Sequence, residues 1–254
     1  MCPRGTFGRV PDDLFADPAM AALYDPMEGD RDDLDFYARI ADELGARSVL
    51  DIGCGTGVLA LMLADRGLAV TGVDPAGASL EIARAKPGAD RVRWICGDAT
   101  ALPPELRVDL AVMTGNVAQA IVEPAAWNGT LARVHAALRP GGHLIFETRD
   151  PAGRAWESWN RESSYRVARF PGLGAVTSWV DLLDVDGPLV TFRWTYVREA
   201  DGGPELTSLS TLRFRRRDEI EADLAANGYE VREVRDAPDR PGKEFVFVAR
   251  RPSA

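Results

Sequence analysis

Two histidines and three cysteines in 254 residues remove several chemistries at the outset. Two imidazoles are too few for a His-rich metal site, and no metal is expected. Cys2, Cys54 and Cys96 are odd in number and form no CxxC pair, which argues against a zinc site or a disulfide framework and fits a reducing compartment. Bases are also short: 30 Lys+Arg stand against 39 Asp+Glu, a net charge of −9, so a phosphate-backbone partner is disfavoured. The longest apolar run, Val58 to Ala64, falls far below the roughly 18 residues of a membrane span. No apolar segment follows Met1-Cys-Pro-Arg-Gly5, so no secretory signal is expected. A cytoplasmic protein without a membrane partner is the expectation.

What is present is ordinary globular composition, 46% hydrophobic and 27% charged, in a length that suits one large domain or two small ones. Carboxylates crowd the early chain. Asp12, Asp13, Asp17, Asp25, Glu28, Asp30, Asp32, Asp33 and Asp35 share their stretch with a single base, Arg31. The stretch reads as a solvated surface or as an acidic rim that favours cationic ligands.

Short apolar strands alternate with helical stretches up to Asp150, the pattern of a parallel α/β sheet. Strands are expected at 48–53, 69–74, 92–98, 108–114 and 143–148. Helices are expected at 58–66, ended by Gly67, at 75–86, and at 124–138, stopped by Arg139-Pro-Gly-Gly142. After Asp150 the rhythm changes to alternating strands without a long helix. Phe192, Trp194 and Tyr196 fall on one face of a strand, with Arg193, Thr195 and Arg198 mostly on the other. Asp184-Val-Asp-Gly187 and Ala200-Asp-Gly-Gly203 have hairpin-turn composition. A helix at 217–227 and two strands at 229–235 and 245–250 complete the chain.

The informative segment is Val49-Leu-Asp-Ile-Gly-Cys-Gly-Thr-Gly-Val58, a strand entering glycines and then a helix. Glycines allow a tight turn and close approach of a ligand, and the helix start presents unpaired N–H groups. A dinucleotide loop reads GxGxxG, but the third glycine here is Gly57 and position 58 is Val, which demotes NAD-dependent oxidoreduction. No GKS or GKT follows, so a P-loop is excluded. The pattern is DxGxGxG.

This pattern resembles motif I of the class I S-adenosylmethionine-dependent methyltransferases, and the resemblance covers roughly residues 41–150 with the closing elements at about 217–251. It implies a doubly wound, seven-stranded, mostly parallel Rossmann-like sheet, last strand antiparallel, with helices on both faces and an antiparallel β insertion after strand five. The implied organisation is an N-terminal helical cap (1–40), a cofactor-binding core (41–150), a β lid or substrate insertion (151–212) and a C-terminal completion of the core (213–254). Carried onto this chain, the glycine loop (Asp51, Gly53, Gly55, Gly57) packs on the methionine part of the cofactor. Asp74, followed by Pro75, bonds the ribose hydroxyls, and Asp98, followed by Ala99, sits beside the adenine amino group. The helix start after strand four closes over the cofactor, which puts Thr114 to Gln119 nearby, Thr114 and Asn116 among them. Physical chemistry is consistent with this: a carboxylate accepts two bonds from a vicinal diol, and ligands of open α/β sheets lie outside the carboxyl ends of the strands.

Methyl transfer from a sulfonium is an in-line displacement, so alignment is the main requirement and a base is optional. His135, in mid-helix, and His143, at the start of strand five, are poorly placed for one. Tyr24, Glu147 and Arg149 are the catalytic candidates. Glu147 and Arg149 leave strand five beside Thr148 and Asp150, with an ion-paired turn as the plain alternative. Related enzymes often close a tyrosine from an N-terminal helix over the sulfonium, which points to Tyr24, with Tyr37 second. Trp156 and Trp159 are read as packing or as an aromatic cage. Met113-Thr-Gly-Asn116 lacks the Asn-Pro-Pro-Tyr of enzymes that methylate adenine, cytosine or glutamine amines. Arg213-Phe-Arg-Arg-Arg217 reads as a solvated corner rather than a phosphate site.

The expected function is S-adenosylmethionine-dependent methylation of a small molecule, by a monomer or homodimer, with S-adenosylhomocysteine as product. RNA or protein methylation, and a non-catalytic S-adenosylmethionine-binding or scaffold role, remain as alternatives.

Overall fold

The computed structural model describes residues 11–170, 174–198 and 205–253. Three helices come first: α1 (Asp13–Ala16), α2 (Pro18–Glu28) and α3 (Asp33–Glu43). Asp17 starts α2 by accepting the Ala19 and Met20 amides at 2.8 and 3.1 Å, with Pro18 in the first turn, the arrangement favoured at a helix N-terminus. β1 (Ser48–Ile52), α4 (Val58–Asp65), β2 (Ala69–Asp74), α5 (Gly77–Ala85), β3 (Val92–Cys96), β4 (Val108–Met113), α6 (Val117–Ala120), α7 (Pro124–Ala137) and β5 (Leu138–Arg149) follow. Next come α8 (Arg161–Ser164), β6 (Arg166–Phe170), β7 (Gly174–Asp186), β8 (Leu189–Arg198) and β9 (Leu206–Arg213). α9 (Arg217–Ala226), β10 (Glu230–Asp236) and β11 (Glu244–Arg250) finish the chain.

The main sheet has seven strands in the order β10-β11-β5-β4-β1-β2-β3. β1 to β5 pair in parallel, and β11 lies antiparallel between β5 and β10. Both faces are covered, because successive strand residues point to opposite sides. Leu50, Ala111 and Phe146 pack with Trp127 and Leu131 of α7 and Leu224 of α9. Their neighbours Val49, Leu110 and Ile145 pack on the other side with Ile40 of α3 and Leu63 of α4. Each such fully buried side chain contributes roughly 1.5–3 kcal/mol. The doubly wound sheet expected from the alternation is therefore present.

The β insertion forms a separate four-stranded antiparallel sheet, β6-β7-β8-β9. Leu14, Met20, Leu23 and Met27 of α1 and α2 pack against its Val176 and Tyr196, and the Leu14 amide donates to Ser208 Oγ at 2.9 Å. On the other flank Ser79 Oγ of α5 donates to the Phe15 carbonyl at 2.9 Å. The first two helices thus bridge the second sheet and the core.

Several local expectations change. β5 starts at Leu138, not His143: Arg139-Pro-Gly-Gly142 is absorbed into the strand, and the β4–β5 register shifts between Val108 and Leu110. His143 consequently lies within β5, paired to Leu110 and Arg250. Trp156 sits in a 3-10 turn, Ala155–Ser158, that ends before Trp159. Thr195, assigned to a mostly polar face, is fully buried. The first hairpin turns at Gly187-Pro188, and Ala200-Asp-Gly-Gly203 lies outside the described residues, as does Cys2. Cys54 is buried and free.

Candidate active site

At the carboxyl ends of β1, β2, β3 and β4, where the strand order reverses, lies a cavity of about 620 Å³, within the usual range for a small-ligand site. Its floor is the turn from β1 into α4. Gly53, Gly55 and Gly57 all have positive φ, but they meet different surroundings. A Cβ on Gly53 would run into Val117 and one on Gly57 into Trp94, whereas one on Gly55 would meet no protein atom within 4 Å. Gly53 and Gly55 line the cavity; Gly57 does not, and instead lets α4 pack against β3.

Asp74 ends β2 and lines the cavity. Its Oδ2 accepts the Gly55 amide at 2.8 Å and its Oδ1 the Ala76 amide at 2.7 Å, which fixes the carboxylate across the mouth of the glycine turn. Burial outweighs these two bonds and pushes Asp74 up to about 6. Asp51, also a lining residue, is pushed up to about 7 by burial and then by the charge of Asp74. Its Oδ1 is buried with no hydrogen-bond partner. Asp98 Oδ1 accepts the Thr100 amide at 2.8 Å and hydroxyl at 2.5 Å, so Asp98 caps its own 3-10 turn while facing the cavity. Pro75, Ala99 and Thr114 complete the lining residues expected from the sequence.

Asn116 departs from expectation. It adopts a left-handed φ of 60° ahead of α6 and is buried away from the cavity. Its amide donates to Glu147 Oε1 at 3.0 Å and its side-chain amide to Glu244 at 3.4 Å. Glu147 does not line the cavity either: Tyr37 of α3 donates its hydroxyl to Glu147 Oε2. Burial, followed by the neighbouring Glu244 charge, pushes Glu147 up to about 7. Arg149 is held by Gln119 at 3.1 Å and Glu244 at 3.5 Å and lies over the Trp159 ring. The position expected for Glu147 and Arg149 at the mouth is therefore corrected: both face the buried network behind the β4–α6 turn. The ion-paired alternative describes Arg149.

Tyr24 does line the cavity, edge-on to Phe15 at 5.4 Å, and burial pushes its phenol up to about 12. His135 packs edge-on against Tyr229, and neither histidine lines the cavity. Trp156 and Trp159 pack on Phe214, and Trp159 also on Phe192. The corner 213–217 is only partly solvated. Arg215 is buried over Trp127 and donates to the Ala118 and Ile121 carbonyls at 2.9 and 2.6 Å, and Arg213 donates to the Val122 carbonyl at 2.6 Å. These two arginines close the α6–α7 wall of the cavity. Val117, within the segment Thr114 to Gln119, lines it as well, and Phe15, Arg31 and Thr56 do so without having been singled out; Arg31, the lone base among nine carboxylates, carried the one usable signal.

Residues 49–142 match the family model described as a methyltransferase domain. The chain is 37% identical over 119 residues to a ubiquinone biosynthesis O-methyltransferase of Alkalilimnicola ehrlichii, an alignment covering 45% of this chain and 47% of that protein. The match thus spans about half the length of that relative. In fold, it superposes on S-adenosylmethionine-bound CalS10, an amino pentose methyltransferase from Micromonospora echinaspora, with TM-score 0.69 and 26% identity, covering 92% of this chain and 96% of the other. The sugar N-methyltransferase KedS8 from a Streptoalloteichus species gives TM-score 0.73 at 19% identity over 99% and 98%. Residues 49–142 are thus similar to a methyltransferase domain, and the chain shares its fold with an S-adenosylmethionine-bound methyltransferase.

Proposed function

We propose that this chain is a methyltransferase that moves a methyl group from S-adenosylmethionine to a small-molecule acceptor. The observation that carries the reading is the convergence of Asp51, the glycine turn, Asp74 and Asp98 on one cavity at the strand ends. The residues suit the cofactor. An orphaned, buried Asp51 oxygen calls for a cationic or N–H donor, Gly55 leaves open space where a side chain would stand, and Asp98 keeps Oδ2 outside its own turn.

In this proposal Asp74 receives the ribose hydroxyls, Asp98 the adenine amino group, and Asp51 with the glycine turn the methionine end, flanked by Pro75, Ala99 and Thr114. The bound cofactor supplies a sulfonium methyl open to displacement. Tyr24, a phenol protonated at neutral pH and pushed further from ionisation by burial, acts as a hydrogen-bond donor and wall, not as a base. With no histidine lining the cavity, rate comes chiefly from alignment of acceptor, methyl and sulfur, which can supply several kcal/mol. Asn116, Glu147 and Arg149 then support the β4–α6 wall from behind.

The net charge of −9 supports a small molecule over RNA, and a cytoplasmic location belongs to the same reading. Calorimetric titration with S-adenosylmethionine, S-adenosylhomocysteine and NAD in parallel tests it. Micromolar binding of the two sulfur nucleosides without NAD is expected; binding of NAD alone, or of none, overturns it.

A further inference from the structure

At the amino ends of β1, β2, β3 and β4, the opposite end of the sheet from the cavity above, lies a second cleft of about 500 Å³. It shares no lining residue with the first, and the length of β2, Ala69 to Asp74, sets the two about 16 Å apart. The connection from β3 to β4 holds only the 3-10 turn Ala99–Ala101. Leu50, Thr71 and Arg93 are register partners and so share one face of the sheet. α7 packs over Leu50, but the short connection supplies no helix to cover Thr71 and Arg93.

Four arginines from separate segments line this gap: Arg91 before β3, Arg93 in β3, Arg107 before β4 and Arg139 in β5. One carboxylate, Asp90, lines it with them, so the cleft is locally positive in a chain of net charge −9. Arg139 donates Nη1 to Asp109 at 2.6 Å and to Ser48 Oγ at 2.7 Å, and Arg91 pairs with Asp65. Arg107 differs. Its Nη1 donates to the Pro104 and Leu106 carbonyls at 2.8 and 2.7 Å, which fixes the guanidinium without neutralising it. Arg93 has no carboxylate partner among the described residues. Thr71 lines the cleft beside it, only 7% exposed, and its hydroxyl has no hydrogen-bond partner among the described residues. A polar group buried in that state costs free energy that a ligand oxygen would recover.

An anion with several oxygens answers all three groups, because guanidinium forks match phosphate oxygens and the hydroxyl adds a further donor. We infer that this cleft is a second ligand site, and that it takes an oligophosphate, free or as the phosphate chain of a nucleotide, held by Arg93 and Arg107 with the Thr71 hydroxyl beside them. Binding there is independent of the cofactor cavity and of the reaction proposed for it.

The test is calorimetric titration of the full chain at low salt with tripolyphosphate, which has no base or sugar to enter the first cavity. One site per chain is expected, unaffected by S-adenosylhomocysteine. The double variant Arg93→Gln with Arg107→Gln changes two exposed positions and is expected to keep the parent's melting temperature while binding at least tenfold more weakly. Thr71→Val keeps the shape, loses the hydroxyl, and is expected to bind threefold or more weakly. ATP, titrated in the presence of S-adenosylhomocysteine, separates the sources: affinity equal to or above that of tripolyphosphate assigns the site to a nucleotide, and affinity tenfold or more below assigns it to the free oligophosphate. Absence of tripolyphosphate binding, more than one site per chain or displacement by S-adenosylhomocysteine overturns the inference. Parent-like affinity in the double variant or in Thr71→Val overturns it equally, by reducing the attraction to diffuse charge.

Discussion

The Asp25 carboxylate binds the Lys86 ammonium at 2.6 Å and the Thr56 hydroxyl at 2.5 Å. Lys86 in turn donates to the Thr56 carbonyl at 2.8 Å. Three segments meet in this triangle: α2, the glycine turn and the end of α5. Tyr24 and Thr56, both lining the cavity, are thereby held in one frame. The ion pair is partly exposed and contributes at most about 1 kcal/mol; the charged bond to buried Thr56 contributes roughly 1.5–3 kcal/mol.

Asp25→Ala is accordingly expected to lower the melting temperature by roughly 4–8 °C, taking about 2–4 °C per kcal/mol for a chain of this size. It should also weaken S-adenosylhomocysteine. Lys86→Met removes only one corner and is expected to lose less than half as much. Thermal unfolding of both variants checks this, and an unchanged melting temperature in Asp25→Ala would refute the frame.

Gly55 and Gly57 separate binding from stability. At Gly57 an alanine Cβ would lie 2.5 Å from Trp94 Cη2 with φ at +80°. Overpacking and left-handed strain together cost several kcal/mol. At Gly55 the same Cβ meets nothing, although φ of +53° still carries a modest penalty. Gly57→Ala is expected to unfold at least about 5 °C below the parent. Gly55→Ala should lose only about 2–4 °C in melting temperature, less than Gly57→Ala, while losing tenfold or more in S-adenosylhomocysteine affinity. The reverse pattern in paired melting and binding curves would sink the assignment.

The sheet was legible because its signal is local. The buried runs 48–52, 69–74 and 108–113 sit between glycine and helix signals, and each carboxyl end carries a polar residue at the site. What sequence missed depended on pairing between distant segments. Arg139-Pro-Gly-Gly142 has turn composition, yet the Gly142 position has no room for a Cβ between the Arg139 and Asp109 carbonyls, and the strand continues through it. Thr195 alternates onto a face that tertiary packing buries. Glu147 occupies a strand end where a catalytic acid belongs, but its direction is set by Tyr37, 110 positions away in the chain. Arg31 lies in an acidic stretch without periodicity, where its one mark was to be the single base among nine carboxylates.

Asp74→Ala removes the acceptor for two backbone amides and, in the proposed complex, for a diol. S-adenosylhomocysteine affinity should fall at least tenfold, or about 1.4 kcal/mol, and Asp74→Asn should fall between the two. Parent-like affinity in Asp74→Ala, measured by calorimetry, would remove the ribose assignment.

The raised carboxyl groups set the direction of the pH dependence. Asp51 moves from 3.8 to about 7, Asp74 from 3.8 to about 6 and Glu147 from 4.5 to about 7, chiefly by burial. The folded state holds protons that the unfolded chain has already released, so these groups contribute stability that is full below about pH 4 and is lost as pH rises through about 6 to 7. Each unit of difference corresponds to about 1.4 kcal/mol. Asp51→Asn removes one such group with little change in shape, so the ligand-free variant should melt at least about 2–4 °C above the parent at pH 8 and show a flatter slope between pH 5 and 8. Cationic ligand groups favour the ionised acids, so S-adenosylhomocysteine binding near pH 6.5 should release protons, seen as a dependence of the binding heat on the buffer's ionisation enthalpy. An Asp51→Asn variant that keeps both the parent's pH slope and its proton release would show that Asp51 is ionised in the free protein and would remove burial as the source of the effect.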